Sequence, residues 1–412
     1  MAIPVINAYI DFSSGAVFAP TMVLGAGVLG TNALGNSASV IVDVSDQVDS
    51  ISTNRGRNAT SDQFQTGTMT LRIVDQAGDF NPQNPSSPYY GLLSPMRKVV
   101  ISATYSGTTY PIFSGYITAY ATTTPKFVGD LTYTVIQAVD GFRLANNAQI
   151  STVAGANVSE KSGSRINKIL DAIGWPTAMR DIDTGLTTVQ PDTGALRTGL
   201  GALQTIELSE YGSLYVDASG NFVFQDRSVT TGSVGGTPTV FNDNGTGIQY
   251  FNAKWLLNDS LIYNYATITR EGGTTQTASN AASIEKYFTH SYNQTGLMMD
   301  TDAEALNYAQ AYIASRQDTS IRCDAITLDL YTKDYNAGIT AALALDFFDP
   351  VTITTTQSGD SAITKTLQVF GVSHNLTPNS WKTTLTTLEP IIDGFILGSS
   401  EFGVLGTSVL AY

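Results

Sequence analysis

The stretch Thr66-Gly-Thr-Met-Thr-Leu-Arg-Ile-Val74 places Met69, Leu71 and Ile73 on one side of an extended chain and polar residues on the other. That period of two fits a strand with one buried face and fits no helix. The same alternation recurs in Ser39–Val44, Val99–Tyr105, Tyr110–Phe113, Tyr116–Tyr120 and Leu131–Ala138. It returns late in the chain in Leu261–Thr269, Ala325–Tyr331, Val351–Thr355, Thr366–Phe370 and Thr383–Leu388. Composition agrees, because only 14% of the 412 residues are charged, whereas surface helices draw heavily on Glu and Lys. A chain this long divides into more than one core. The expectation is a mainly β, multidomain protein.

The two strand-rich regions echo each other. Pro95-Met-Arg-Lys-Val99-Val-Ile101, a Ser106-Gly107 turn, Ile112-Phe-Ser-Gly115-Tyr-Ile and Leu131-Thr-Tyr-Thr-Val135 run in the same order as Pro350-Val351-Thr-Ile353, a Ser358-Gly359 turn, Val369-Phe-Gly371-Val-Ser and Trp381-Lys-Thr-Thr-Leu385. The preceding strands match as well, Met69-Thr-Leu-Arg-Ile73 against Ile326-Thr-Leu-Asp-Leu330. Taken at face value the chain holds two copies of one antiparallel β-barrel.

Between them the pattern changes. Ile166, Ile169, Leu170 and Ile173 share one helical face, and Gly174 and Pro176 stop the helix. A shorter helix around Leu203–Glu210 precedes a hairpin turning at Ala218-Ser-Gly220. Further on, Leu306, Ala309 and Ile313 mark one more helix, with Thr301 and Glu304 spaced as a capping box. The expected organisation is an N-terminal arm and first barrel over 1–148, an α+β insert over 149–235, a second barrel with one helix over 236–390, and a C-terminal arm over 391–412.

Both ends carry isolated leucines beside glycines. Leu24-Gly-Ala-Gly-Val-Leu29-Gly-Thr31 is similar to Leu397-Gly-Ser-Ser-Glu-Phe-Gly-Val-Leu405-Gly-Thr407, and neither has a helical or strand period. The sharper expectation is a pair of docking arms whose Leu24, Leu29, Leu34, Leu397, Leu405 and Leu410 seat on neighbouring subunits. The uncharged run from Phe12 to Val42 is broken by Pro20, Asn32 and Asn36, so stable membrane insertion is not expected.

Chemistry is sparsely supported. There is no Gly-Lys pair for a phosphate-binding loop, and the only histidines, His290 and His374, lie far apart with no second metal-type ligand near either. Cys323 stands alone in a strand-like stretch and reads as a small buried hydrophobe. Glu207 and Glu210 lie one helical turn apart and Asp181 and Asp183 share a loop, the best available carboxylate pairs for a glycan hydrolase. Asp217-x-Ser-Gly resembles a fragment of a calcium loop and is better explained as the hairpin turn. The expectation is no catalytic residue, no metal and no cofactor. The net charge of −14, with no Lys or Arg before Arg55 or after Lys382, speaks against sequence-reading nucleic-acid binding. It suits a wall past which DNA slides.

Several short motifs run through most of the chain: Arg55-Gly-Arg57, Gly78-Asp-Phe80-Asn-Pro82, Leu93-Ser-Pro95-Met-Arg97, Phe113-Ser-Gly115-Tyr-Ile117, Gly174-Trp-Pro176, Phe224-Gln-Asp-Arg227 and a Gly/Leu-rich end from Asp393. Together they resemble the minor tail or baseplate-hub proteins of long-tailed phages. The resemblance implies two tube-like barrels per chain and a homotrimer on the tail axis. It implies neighbours among the tube-side or distal tail ring, the tape measure and the tip or fibre proteins. Phage DNA would pass through the lumen of a virion assembled in the host cytoplasm. The alternatives are a receptor- or carbohydrate-binding tail fibre module, with Trp175, Trp255 and Trp381 as stacking platforms, and a distal tail ring protein.

Overall fold

The structure, a computed structural model, describes residues 3–13, 40–57, 61–123, 131–156, 159–228, 237–332, 335–356 and 361–389. Its largest element is a 13-stranded sheet made of two parts built around the same four-strand order.

The first part contains β1 (Val5–Asp11), β2 (Ile41–Asp43), β3 (Val48–Gly56), β4 (Gln65–Val74), β5 (Lys98–Tyr105), β6 (Thr108–Thr123) and β7 (Tyr133–Val139). Their order is β3-β4-β7-β6-β5-β1-β2. β4 buries Gly67, Met69, Leu71 and Ile73 on alternate residues, as its sequence requires. The Gly78–Pro82 loop is pinned to this core. Phe80 is fully buried, and the Asp75 carboxylate accepts from the backbone of Asp79 and Phe80 and from Thr134 Oγ1.

A helical insert follows. α1 (Gly141–Asn147) is capped by Asp140, α2 (Ser162–Ala172) stacks on α3 (Gly199–Glu210), and two-residue ladders join β8 (Gln149–Ile150) to β12 (Arg197–Thr198) and β9 (Glu160–Lys161) to β11 (Thr188–Val189). A three-stranded sheet, β10 (Arg180–Ile182), β14 (Phe222–Gln225) and β13 (Ser213–Val216), lies beside them. Gly174 ends α2 in the left-handed region at φ 74°, and the next amide, on Trp175, returns to the Leu170 carbonyl. Trp175 then packs edge-on against Phe222.

The second part of the large sheet uses β15 (Thr239–Asn242), β16 (Asn252–Leu256), β20 (Arg322–Asp329), β21 (Pro350–Thr356), β22 (Ala362–Thr377) and β23 (Ser380–Leu388). Its order is β16-β20-β23-β22-β21-β15. β4-β7-β6-β5 in the first part and β20-β23-β22-β21 in the second are the same four-strand arrangement, with the same antiparallel pairings. Between β16 and β20 the chain leaves to form a small unit with its own core. There β18 (Gln276–Ser279), β17 (Tyr265–Arg270) and β19 (Ser291–Leu297) lie beside α4 (Ala281–Tyr287) and α5 (Asp302–Ala314). α5 begins with the Thr301/Glu304 capping box and buries Ala305, Tyr308, Ala309, Tyr312 and Ile313. α6 (Asn336–Ala344) returns to the second β unit. Among the described residues no helix is long and apolar enough to cross a membrane.

Candidate assembly interface

The two β units are joined edge to edge. β22 pairs antiparallel with β3, from Gly371 opposite Gly56 to Leu376 opposite Ile51. The Arg55-Gly56-Arg57 motif lies at one end of this ladder. Gly56 has φ 112°, and a β-carbon there would stand 2.2 Å from the Phe370 carbonyl oxygen and 2.5 Å from Gly371 Cα. Only glycine permits that approach.

The two arginines have different partners. Arg55 is buried; its Nε donates to the Ile112 carbonyl at 3.0 Å, its Nη2 pairs with Asp346 at 3.0 Å, and its guanidinium lies over Phe347. Arg57 donates its amide to the Phe370 carbonyl and lies over the Phe370 ring. Phe64, Tyr215, Phe347, Phe348 and Phe370 pack around them, so the first β unit, the insert and the second β unit meet at one aromatic cluster.

His374 sits in the same ladder, opposite Thr53. It is buried beside Trp381 and exchanges a hydrogen bond with Thr383. Burial, reinforced by the Arg55 charge, pushes its pKa down to about 3, so it stays neutral and structural. Cys323 is fully buried on β20, as its neighbours suggested. His290 abuts β19, where its ring faces the Tyr287 carbonyl. No group of three His, Cys, Asp or Glu side chains suited to a metal occurs among the described residues.

The carboxylate pairs serve the fold. Glu210 is fully buried and accepts from Ser162 Oγ and from the amides of Leu186 and Thr187. Glu207 accepts from the Leu214 amide at 2.7 Å and from Gln63 at 2.9 Å. Burial raises its carboxyl to about 8, against the lowering effect of those donors and Arg57. The cavity beside it, lined in part by Arg57, Asp62, Tyr211 and Arg316, measures about 30 Å³, room for about one water and none for a sugar ring. Asp181 lies on β10 rather than in a loop, and Asp183 follows it and accepts from the Asp226 amide. Asp217 closes the β13–β14 hairpin through the amides of Ser219 and Asn221, which is the turn reading of that segment.

The tryptophans offered as stacking platforms are used internally. Trp175 and Trp381 are buried, and the Trp255 indole donates to Thr355. An open cleft of about 950 Å³ runs between the β5–β6 turn at Tyr105 and α6, with Thr239, Ile248 and Pro350 on its far wall. Tyr105 bridges its two sides by a hydrogen bond to Asn336. Leu24, Leu29, Leu34, Leu397, Leu405 and Leu410 lie outside the described residues.

No protein-family model and no curated protein matches the sequence. Solved structures do. A 43 kDa tail protein of prophage MuSo2 from Shewanella oneidensis superposes with a TM-score of 0.55 at 12% identity, covering 85% of this chain and 96% of that one. A tail protein from Neisseria meningitidis MC58 gives 0.54 at 11% identity, covering 85% and 94%. The fold is that of prophage tail proteins. The motifs that suggested this in the sequence now have places in the tail-protein fold: Arg55–Arg57 at the junction, Phe113–Ile117 on β6 and Gly174–Pro176 at the end of α2. β1 was not expected from the sequence, and of β3 only the Arg-Gly-Arg motif stood out. Nothing in the sequence marks the open edge of β16, just before which Phe251 is 65% exposed.

Proposed function

We propose that this chain is a structural virion protein, the hub of a tail tip or baseplate, which joins the tail tube to the tip or fibre proteins and surrounds the DNA exit channel. One observation carries the reading: a chain with the prophage tail-protein fold holds two β units that share one antiparallel four-strand order, joined edge to edge through β3 and β22. Three such chains supply six similar units, the number needed to match a six-fold tube to a three-fold tip. The acidic balance of the chain suits a channel wall that repels DNA. The Gly/Leu segments would fasten the hub to its tail neighbours through Leu24, Leu29, Leu34, Leu397, Leu405 and Leu410.

A cryo-EM map of the intact particle tests this. Three copies around the tail axis, their β units forming one ring, are expected. Copies away from the axis would overturn the hub in favour of a fibre module, and six whole chains in the ring would make the protein a distal tail ring.

A further inference from the structure

The junction inside the chain has open counterparts on its outer edges. Their residues can be matched through the shared strand order. Met69 pairs with Thr53 and Ala138, whereas Ile326 pairs with Ala253 and Leu385. Thr53 and Ala253 therefore hold the same place, and β16 is the counterpart of β3. Both strands shift register at the same point, between Asn54 and Gly56 in one and between Lys254 and Trp255 in the other. On the other side, Ile136 pairs with Tyr120 and its counterpart Thr383 pairs with His374. The second half of β6 thus corresponds to the part of β22 that receives β3.

Among the described residues these two counterpart edges carry no strand. β16 pairs only with β20, and β6 pairs only with β7 beyond Ile117, whose amide and carbonyl bond the backbone of Arg97 and Met96. The side chains register the difference. Ile51 is 2% exposed inside the junction, but Phe251, its counterpart immediately before β16, is 65% exposed. Leu376 is buried opposite Ile51, but Thr122 in its place on β6 is exposed. Leu257, just past the far end of β16, is 59% exposed. Ala119–Thr123 carries no charge and no proline, the devices that normally keep an open edge from pairing. Lys254 is the one charge on β16, and it is drawn towards Asp324 of the adjoining strand.

We infer that β16 of one chain pairs antiparallel with the second half of β6 of the next, repeating between copies the β3·β22 ladder that joins the units within one. Carrying over the internal register sets Tyr120 opposite Ala253 and Thr122 opposite Phe251 of the neighbouring copy. The intermolecular ladder stops short of the glycine end, because Leu256 stands where the internal junction has Gly56. The contact is therefore shorter than its internal model, as suits a joint made during assembly. This inference rests on the hub reading for its partner, a second copy of the same chain.

Two single variants, Thr122→Cys and Phe251→Cys, provide the test. Both positions are exposed, and the native Cys323 is buried. The variants are mixed as full chains, incorporated into tails, oxidised and run on a non-reducing gel. Opposed strand residues lie within disulfide reach. A covalent dimer in the mixture, absent from either variant alone and from Thr122→Cys mixed with Lys254→Cys, is the expected result. Unfolding curves matching the parent establish that each variant folds. Absence of the dimer in particles that hold three copies on the axis would overturn the strand pairing and leave the hub standing. A chain found off the axis would remove both.

Discussion

Ile51 and Phe251 occupy the same position in two β units built to one plan, and their surroundings are opposite. Ile51 is buried under β22, opposite Leu376; Phe251, just before the edge strand β16, stands in solvent. The difference lies at the ends of the two strands. β3 ends in Arg55, which reaches across to Asp346, and in Gly56, which lets Phe370 approach, whereas β16 ends in Leu256 and is followed by Leu257. One edge is therefore committed within the chain and the other is left open.

Breaking the committed edge should cost most. Gly56→Ala places a methyl group against the Phe370 carbonyl at a φ that L-residues rarely adopt. A loss of about 4 kcal/mol or more is expected in denaturant unfolding, combining backbone strain and overpacking. Ile51→Ala should cost about 3 kcal/mol as a buried truncation. Phe251→Ala should stay within about 0.5 kcal/mol for the isolated chain and show its effect only as a lower yield of assembled tails. Equal costs for this pair would dissolve the comparison. Arg55→Met keeps the stem but loses the bonds to Ile112 and Asp346, and a cost of about 2 kcal/mol is expected by thermal unfolding.

The smallest effect is electrostatic. Glu207 is held at about 8 in the folded chain against an ordinary 4.5, so between those values the folded state binds more protons than the unfolded state. Its contribution to stability is complete below about pH 4.5 and is lost as pH rises through 8. Glu207→Gln should flatten that decline relative to the parent, with unfolding followed at pH 5, 7 and 9. Parallel curves for variant and parent would show that the carboxyl is not held neutral. Buried Asp140, raised to about 7, titrates nearby, and comparison with the parent cancels its effect.

The sequence disclosed those parts whose pattern is local. Met69, Leu71 and Ile73 alternate, and β4 follows from them; Ile326 and Leu328 repeat the alternation in β20. Thr301 and Glu304 announced α5, and Gly174 the end of α2. β3 escaped because its inward positions include Thr53 and Arg55, polar residues buried only because β22 and Asp346 are brought to them. The burial of Glu207 and Glu210 was illegible for the same reason: their partners, Gln63, Leu186 and Thr187, lie far along the chain. The exposure of Phe251 could not be read either, because an apolar residue in a strand gives no sign of whether its edge is covered.

β22 holds β21 along its first half and both β23 and β3 along its second. A pull that slides the two β units past each other along this strand loads the whole Ile51–Gly56 ladder at once, since its hydrogen bonds lie side by side and share the force. A pull at right angles opens the same ladder one rung at a time. The joint is thus mechanically directional, stiff against shear and weak against peeling, and its direction is set by how a single sixteen-residue strand lies in the molecule.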